Sequence, residues 1–356
     1  MGNCTRCDEI IENLLKFDVE IHVLTCGNGF KYFENNKNIA SLSSMESFHY
    51  GSKGGKLSIA QTILSLAQYY KLYKRKTRQL IELLDKITPS IAVTDSEYAV
   101  LPLKKHKIPI IGINNSEVVV TEYLKRSNLP NSIYFQFWFV EFLDYIYHRL
   151  VCDYIISPSI NPVSVRHSKF HRVGLIVRKK VLDIAEQTKS QTTHQGDPLR
   201  LVVMLSGSEF ASHINFNSYD LPYEAEVIGR TGTNRKNIVY HGKLWDNTMK
   251  LAGADILVIN GGFSAVSEAF ILQKCTLVIP VPGHAEQYIN ATLLQESGLG
   301  IVATEENVCD KLKGAFESKG RDTIGGNRPV VNGNGAKEAA DKILSIMRSL
   351  TNAKKK

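Results

Sequence analysis

At 356 residues the chain is long enough for two domains of ordinary size, and its 43% hydrophobic and 22% charged residues are the balance of a globular protein. No run of eighteen apolar residues occurs, so no membrane-spanning helix is expected; residues 1–16 are polar and helix-patterned, so no signal peptide is expected. The formal net charge of +8 would suit nucleic acid, an anionic membrane face or an anionic substrate, but the basic residues are spread along helices and a tail without interleaved aromatics, so nucleic acid is not expected as a partner. Cys4 and Cys7 have C-x-x-C spacing with no second pair to complete a zinc site, and the six cysteines are expected to be free thiols in a reducing cytosol.

In chain order, Ile10, Ile11, Leu14 and Leu15 have helical spacing and predict a helix over residues 5–17. Residues 19–24 read as a strand, followed by the turn Cys26-Gly27-Asn28-Gly29. A doubly wound α/β domain should place a strand before that first helix, where only Met1-Gly2-Asn3 stands. The first strand of the domain is therefore expected to be missing. A recorded start downstream of the true one is preferred to a fold without its central strand, because that loss would expose two sheet edges. Residues 39–50 read as a strand region, 51–56 (GSKGGK) as a mobile surface loop without P-loop spacing, and 57–86 as a long helix. Strands over 91–94 and 108–113 end in the polar groups Asp95-Ser96-Glu97 and Asn114-Asn115. The aromatic stretch 134–151 is interrupted by Gln136, Glu141, Asp144, His148 and Arg149, which makes it an amphipathic helix; packing against the sheet is preferred to a membrane-facing patch.

Residues 181–198 are polar and read as an interdomain linker. A fresh sheet starts with the apolar run 199–205, which ends at the small-residue turn Ser206-Gly207-Ser208. Strands over 225–228, 238–240, 256–259, 276–279 and 300–302 follow, with closing helices over 307–318 and 336–350. The expected organisation is a first domain over 1–180, a second over 199–350 and a basic tail at 351–356. The fold class is α/β, two facing doubly wound domains with largely parallel sheets and a cleft between them.

The densest chemistry lies in residues 255–290. A buried-type strand runs into Gly261-Gly262, which permits a tight turn, and Ser264 or Ser267 could cap the helix that follows. Free N–H groups at such a helix start can hold a diphosphate without a metal ion. Glu268 offers two oxygens for the hydroxyls of a ribose, and His284, Glu286 and Gln287 could grip those of a sugar. Two strand ends side by side make a ligand crevice in an open parallel sheet. A glycine turn of any βαβ unit beside a solvated loop is the plainer alternative.

Residues 199–302 resemble the C-terminal domain of family 28 glycosyltransferases. The resemblance rests on Ser206-Gly207-Ser208, on His241-Gly242-Lys243-Leu244, on Gly261-Gly262-Phe263-Ser264 with Ser267-Glu268-Ala269, and on Pro282-Gly283-His284-Ala285-Glu286-Gln287 with Asn290-Ala291. It implies a GT-B fold, two facing Rossmann-like domains, and a UDP-sugar as co-substrate with no further cofactor. By matching motif, Leu244 would read the uracil with its backbone and Glu268 would hold the ribose. Gly262, Phe263 and Ser264, helped by Ser208, would contact the diphosphate, and Glu286 and Gln287 the sugar. The implied activity is an inverting, metal-independent transfer of a hexosyl or N-acetylhexosaminyl group to a lipid-linked or glycan acceptor, in the cytoplasm or at the cytoplasmic membrane face.

Such a transfer needs a base for the acceptor hydroxyl. The family often carries a histidine before its first helix, where this chain has Asn3, and an amide cannot act as a base. Asp95 and Glu97 are the expected substitutes, with His49 a remoter one. A UDP-sugar 2-epimerase shares the fold but carries another acidic signature after the glycine turn. A nucleotide-sugar-binding protein without activity and a DNA-modifying transferase are the further alternatives.

Overall fold

A computed structural model describes residues 2–46, 52–53, 56–57, 66–161, 168–188, 199–205, 224–235, 237–319 and 333–354. The first half begins with helix α1 (Gly2–Leu14), strand β1 (His22–Thr25), a short helix α2 (Asn28–Phe33) and strand β2 (Ser41–Ser44). Gly27, at φ 51°, makes the turn into α2. Ser52–Lys53 (β3) and Lys56–Leu57 (β4) pair antiparallel, so the ends of the expected GSKGGK loop are strand-paired. Then come α3 (Leu66–Leu84), β5 (Ala92–Thr94), α4 (Leu101–Lys105), β6 (Ile110–Ile113) and α5 (Ser116–Leu124). Helix α6 (Tyr134–Gln136), a π-helical turn (Phe137–Glu141) and α7 (Phe142–Val151) form one rod, followed by β7 (Tyr154–Pro158) and β8 (Phe170–Val173).

Strands β5-β6-β7-β8 form a parallel sheet, and β1-β2 a separate parallel pair. No strand precedes α1 among the described residues, and no ladder joins the two sheets.

The second half comprises α8 (Lys179–Thr188), β9 (Arg200–Met204), β10 (Glu224–Ile228), β11 (Ile238–Gly242), α9 (Thr248–Gly253), β12 (Ile256–Ile259), α10 (Phe263–Ile271), β13 (Cys275–Val278), α11 (Ala285–Glu296), β14 (Gly300–Val302) and α12 (Val308–Lys319). Its six strands run parallel in the order β11-β10-β9-β12-β13-β14. The central strand β12 is four apolar residues, all buried, because helices cover both faces of the sheet.

The chain crosses between the halves earlier than the composition suggests. Leu175, Val177, Val181 and Ala185 already belong to the core of the second domain, so α8 is part of that domain and residues 181–188 are no free linker. The final helix α13 (Gly335–Lys354), expected in the second domain, returns to the first. Its Ala339, Ala340, Ile343 and Ile346 are buried against Ile10, Leu14, Ile111 and Ile156. Periodicity shows that a helix has an apolar face but not which sheet covers it. The two crossings touch: a Cβ on Gly335 would lie 2.0 Å from the Gly174 carbonyl oxygen.

The aromatic rod inverts the expected pattern. Phe137 is fully buried and stacks on Tyr123, with ring centroids 3.4 Å apart. Yet Tyr134, Phe135, Phe139, Val140 and Leu143 are exposed, while Gln136, Glu141 and His148 are buried. The π turn inserts a residue and rotates the helix face, so the polar side chains look inward. The expected core packing holds for one side of this rod only.

Truncating Ile343, 1% exposed beneath α13, is expected to cost about 2–5 kcal/mol. Urea denaturation of Ile343→Ala tests this; an unchanged midpoint would mean that α13 does not complete the first core.

Candidate functional site

The site is built where β12 and β13 end. Asn260 donates from Nδ2 to the Ile279 carbonyl at 3.0 Å, tying the two strand ends together. Asn290 donates to the Gly261 carbonyl at 3.0 Å. A Cβ on Gly261 would lie 2.2 Å from the Gln287 carbonyl oxygen, so only glycine lets α11 approach this closely. Gly262 has an ordinary φ of −63° and open space around it, so the turn itself requires one glycine and not two.

No side chain caps α10. Ser264 and Ser267, the expected caps, do other things. Ser267 Oγ donates to the Phe263 carbonyl at 2.7 Å, and Ser264 faces the start of α1, where a Cβ on Gly2 would meet its Oγ at 2.4 Å. Among the described residues, no side chain accepts from the first-turn N–H groups of α10, from Phe263 and Ser264 onward, at the meeting of the two domains, which suits an anion.

Glu268, 8% exposed, is clamped by Arg178 from the interdomain segment: Nε donates to Oε1 at 2.7 Å and Nη2 to Oε2 at 2.8 Å. Arg178 Nη2 also reaches Asn247 Oδ1 at 2.7 Å. Burial disfavours the guanidinium charge, but Glu268 more than compensates and holds the Arg178 pKa above its ordinary value. A carboxylate has about four lone-pair sites, so the clamp leaves capacity on both Glu268 oxygens for hydroxyl donors. Leu244, on the loop after β11, is partly buried against the same core.

Helix α11 starts at His284, which follows Gly283 in the left-handed region at φ 78°. Gln287 Oε1 accepts the Val281 N–H at 3.0 Å and so braces its own loop. Glu286 Oε1 accepts from Asn115 Nδ2 of the first domain at 3.3 Å. The Ala285 N–H donates across the cleft to Gln136 Oε1 at 2.8 Å. Gln136 Nε2 in turn donates to Glu141 Oε1 at 2.6 Å. Burial, then the Glu286 charge, pushes the Glu141 carboxyl up to about 8. His284 Nδ1, 4.0 Å from Glu141 Oε1, is buried without a hydrogen-bond partner, and burial holds this imidazole below its ordinary pKa.

Glu141, His284 and Glu286 bring ligand-type atoms within 4.8 Å of one another, the spacing of a metal site among the described residues. A carboxyl that keeps its proton at neutral pH is a poor metal ligand, and Glu141 and Glu286 already accept from Gln136 and Asn115. The trio therefore reads as a cluster of polar side chains and not as a metal site.

The acidic residues expected as bases are committed elsewhere. Asp95 takes a two-point bond from Arg6, 2.9 Å from Nε and 2.6 Å from Nη2, with side chains 7% and 4% exposed. Cys7 Sγ donates to the same carboxylate at 3.4 Å. Glu97 pairs with Lys76 at 2.7 Å and caps the N–H groups of Tyr98 and Ala99. Asn3 Oδ1 accepts from Arg6 Nη2 at 3.5 Å. Ser206, Gly207, Ser208 and His49 lie outside the described residues.

The structure thus brings Gly261, Gly262, Phe263, Ser264, His284 and Glu286 together with Asn3 and Asn115 at one interface. Gln136, Glu141, Arg6 and Arg178 had no assigned role in the sequence reading. One signal was available: Gln136 and Glu141 are five residues apart, the period of a π turn.

Removing one partner of the buried Arg6–Asp95 pair strands the other charge. Asp95→Asn is expected to cost about 3–5 kcal/mol in denaturant unfolding. A variant that loses activity at unchanged stability would instead return Asp95 to the chemistry.

A family model described as glycosyl transferase family 1 matches residues 1–316. An uncharacterized glycosyltransferase of Methanopyrus kandleri is 30% identical over 67 residues, which are 18% of this chain and 20% of that protein; the chain spans about a fifth of the curated relative it matches. Among solved structures, MurG of Acinetobacter baumannii is 11% identical with a TM-score of 0.59, over 97% of this chain and 96% of that one. Arabidopsis thaliana UGT89C1, complexed with UDP, is 12% identical with a TM-score of 0.59, over 96% of each chain. The calicheamicin glycosyltransferase CalG4 is 17% identical with a TM-score of 0.59, over 95% and 93%. At these identities the likeness carries the fold alone, two domains with parallel sheets in the GT-B arrangement. The family matched is family 1, where the motifs resemble family 28. On the model that spans most of its length, the chain belongs to glycosyl transferase family 1 and is a glycosyltransferase of GT-B fold.

Proposed function

We propose that the chain transfers a hexosyl or N-acetylhexosaminyl group from a UDP-sugar to a lipid-linked or glycan acceptor, with inversion and without a metal ion. The observation that carries this reading is the uncapped start of α10 beside the Arg178-clamped Glu268. The amides of Gly262, Phe263 and Ser264 suit a diphosphate, and the growing charge on a leaving diphosphate is stabilised by such pre-aimed donors. Glu268 would take the ribose hydroxyls on the lone pairs that Arg178 leaves, and the Leu244 backbone would read the base. Glu286, His284 and Gln287, at the start of α11, would meet the sugar.

A ligand that binds only the folded state raises its melting point, so UDP-sugars are expected to do so in preference to GDP- and dTDP-sugars. Glu268→Gln keeps the shape and is expected to weaken UDP binding at least tenfold, about 1.4 kcal/mol. Unchanged UDP affinity in calorimetry would remove Glu268 from the donor site.

A lipid-linked acceptor is favoured by the exposed apolar face of the aromatic rod, where Phe135, Phe139, Val140 and Leu143 face solvent. No helix among the described residues is long and apolar enough to cross a membrane. A chain of net charge +8 carrying such a face suits the anionic cytoplasmic surface of a bilayer. The paired substitution Phe135→Ser with Phe139→Ser is expected to cut co-sedimentation with anionic vesicles while leaving UDP affinity intact. Equal sedimentation of both proteins would favour a soluble glycan acceptor.

A further inference from the structure

We propose that Glu141 is the general base of the transfer, the group that takes the proton of the acceptor hydroxyl. This rests on the glycosyl-transfer reading above and supplies the base that Asn3 cannot be.

Three observations carry it. The carboxylates at strand ends of the first domain are spent: Asp95 on Arg6, Glu97 on Lys76 and two backbone N–H groups, and Glu117, on α5, in a two-point bond with Arg172. Glu141 is different, because its hydrogen-bond donor is the neutral Gln136 amide. It projects from the acceptor-side domain onto the start of α11, the helix whose first residues would meet the donor sugar. It also sits at the end of a π turn, a distortion that the helix retains at a cost and that is common at functional positions.

The step balances as follows. The acceptor O–H bond breaks and its proton passes to a Glu141 oxygen. The freed electron pair forms the bond to the anomeric carbon as the bond from that carbon to the diphosphate breaks. The leaving electron pair stays on the nucleoside diphosphate, which the amides of α10 stabilise.

The groups facing Glu141 set its proton affinity. Glu286 and His284 face it from α11, Asp144 lies one turn on along the rod, and Arg6 of α1 acts on Glu286. Burial and the Glu286 charge raise the carboxyl to about 8. The base form is the ionised one, so the rate is expected to climb with pH through about 8.

The test uses the full chain with UDP-glucose or UDP-N-acetylglucosamine, whichever raises its melting point, and water as acceptor; released UDP is measured from pH 6 to 9. Glu141→Gln is expected to lose about 100- to 10,000-fold in rate and the alkaline rise, while keeping UDP affinity within about threefold. Glu141→Asp is expected to retain part of the rate and the rise, and formate is expected to restore activity to Glu141→Ala. A Glu141→Gln rate within threefold of the parent, a surviving alkaline rise, or a rate loss matched by lost UDP affinity each overturns the assignment and leaves the transferase reading intact. A parent chain that binds neither UDP-sugar takes down both.

Discussion

Helix α11 cannot finish its own hydrogen bonding. The first N–H groups of a helix have no partner within it, and here one of them, from Ala285, is met by Gln136 of the other domain. Donor and acceptor are both buried, so separating the domains without admitting water would strand them. Around this contact Phe137, Tyr123, Ala285 and Ile289 close an apolar cluster that excludes solvent. The Arg126–Glu296 pair at the rim also spans the domains, but the Glu296 side chain is 55% exposed, and such a pair contributes little beside the buried contact. The fit of the domains is thus concentrated where α11 meets the rod.

The second domain was legible because its central strands are short, mostly apolar runs, two of which stop just before Gly261 and Pro280. The run 256–259 is β12 to the residue. Motif order singled out Gly261, Glu268 and His284 without any contact being visible. What the sequence could not show was partner choice. Glu268 reads as a free ligand until Arg178, ninety residues away, is seen to clamp it. Asp95 and Glu97 are adjacent acidic positions on the page, yet Arg6 and Lys76 commit both. The aromatic rod misled for a geometric reason: a helical wheel assumes 3.6 residues per turn, and one π turn carries Gln136 and Glu141 inward and leaves Phe139 outside.

Arg178 joins two tasks. It lies just where the chain passes from one domain to the other, and its guanidinium holds Glu268 and Asn247 of the second domain. An occupant of Glu268 would therefore be felt directly at the crossing segment, through a charge-assisted pair and not through a long relay of packing.

The return of α13 to the first core gives the molecule two covalent links between its lobes, and they run side by side where Gly335 meets Gly174. Two tethers at one edge forbid sliding and twisting apart, and leave a swing about the line through them as the soft degree of freedom. The far edge, where α11 meets the rod, then travels furthest for a given bend. A swing of this kind would undo the Gln136 cap first while barely disturbing the glycine pair, the motion of a jaw whose pivot lies opposite its opening.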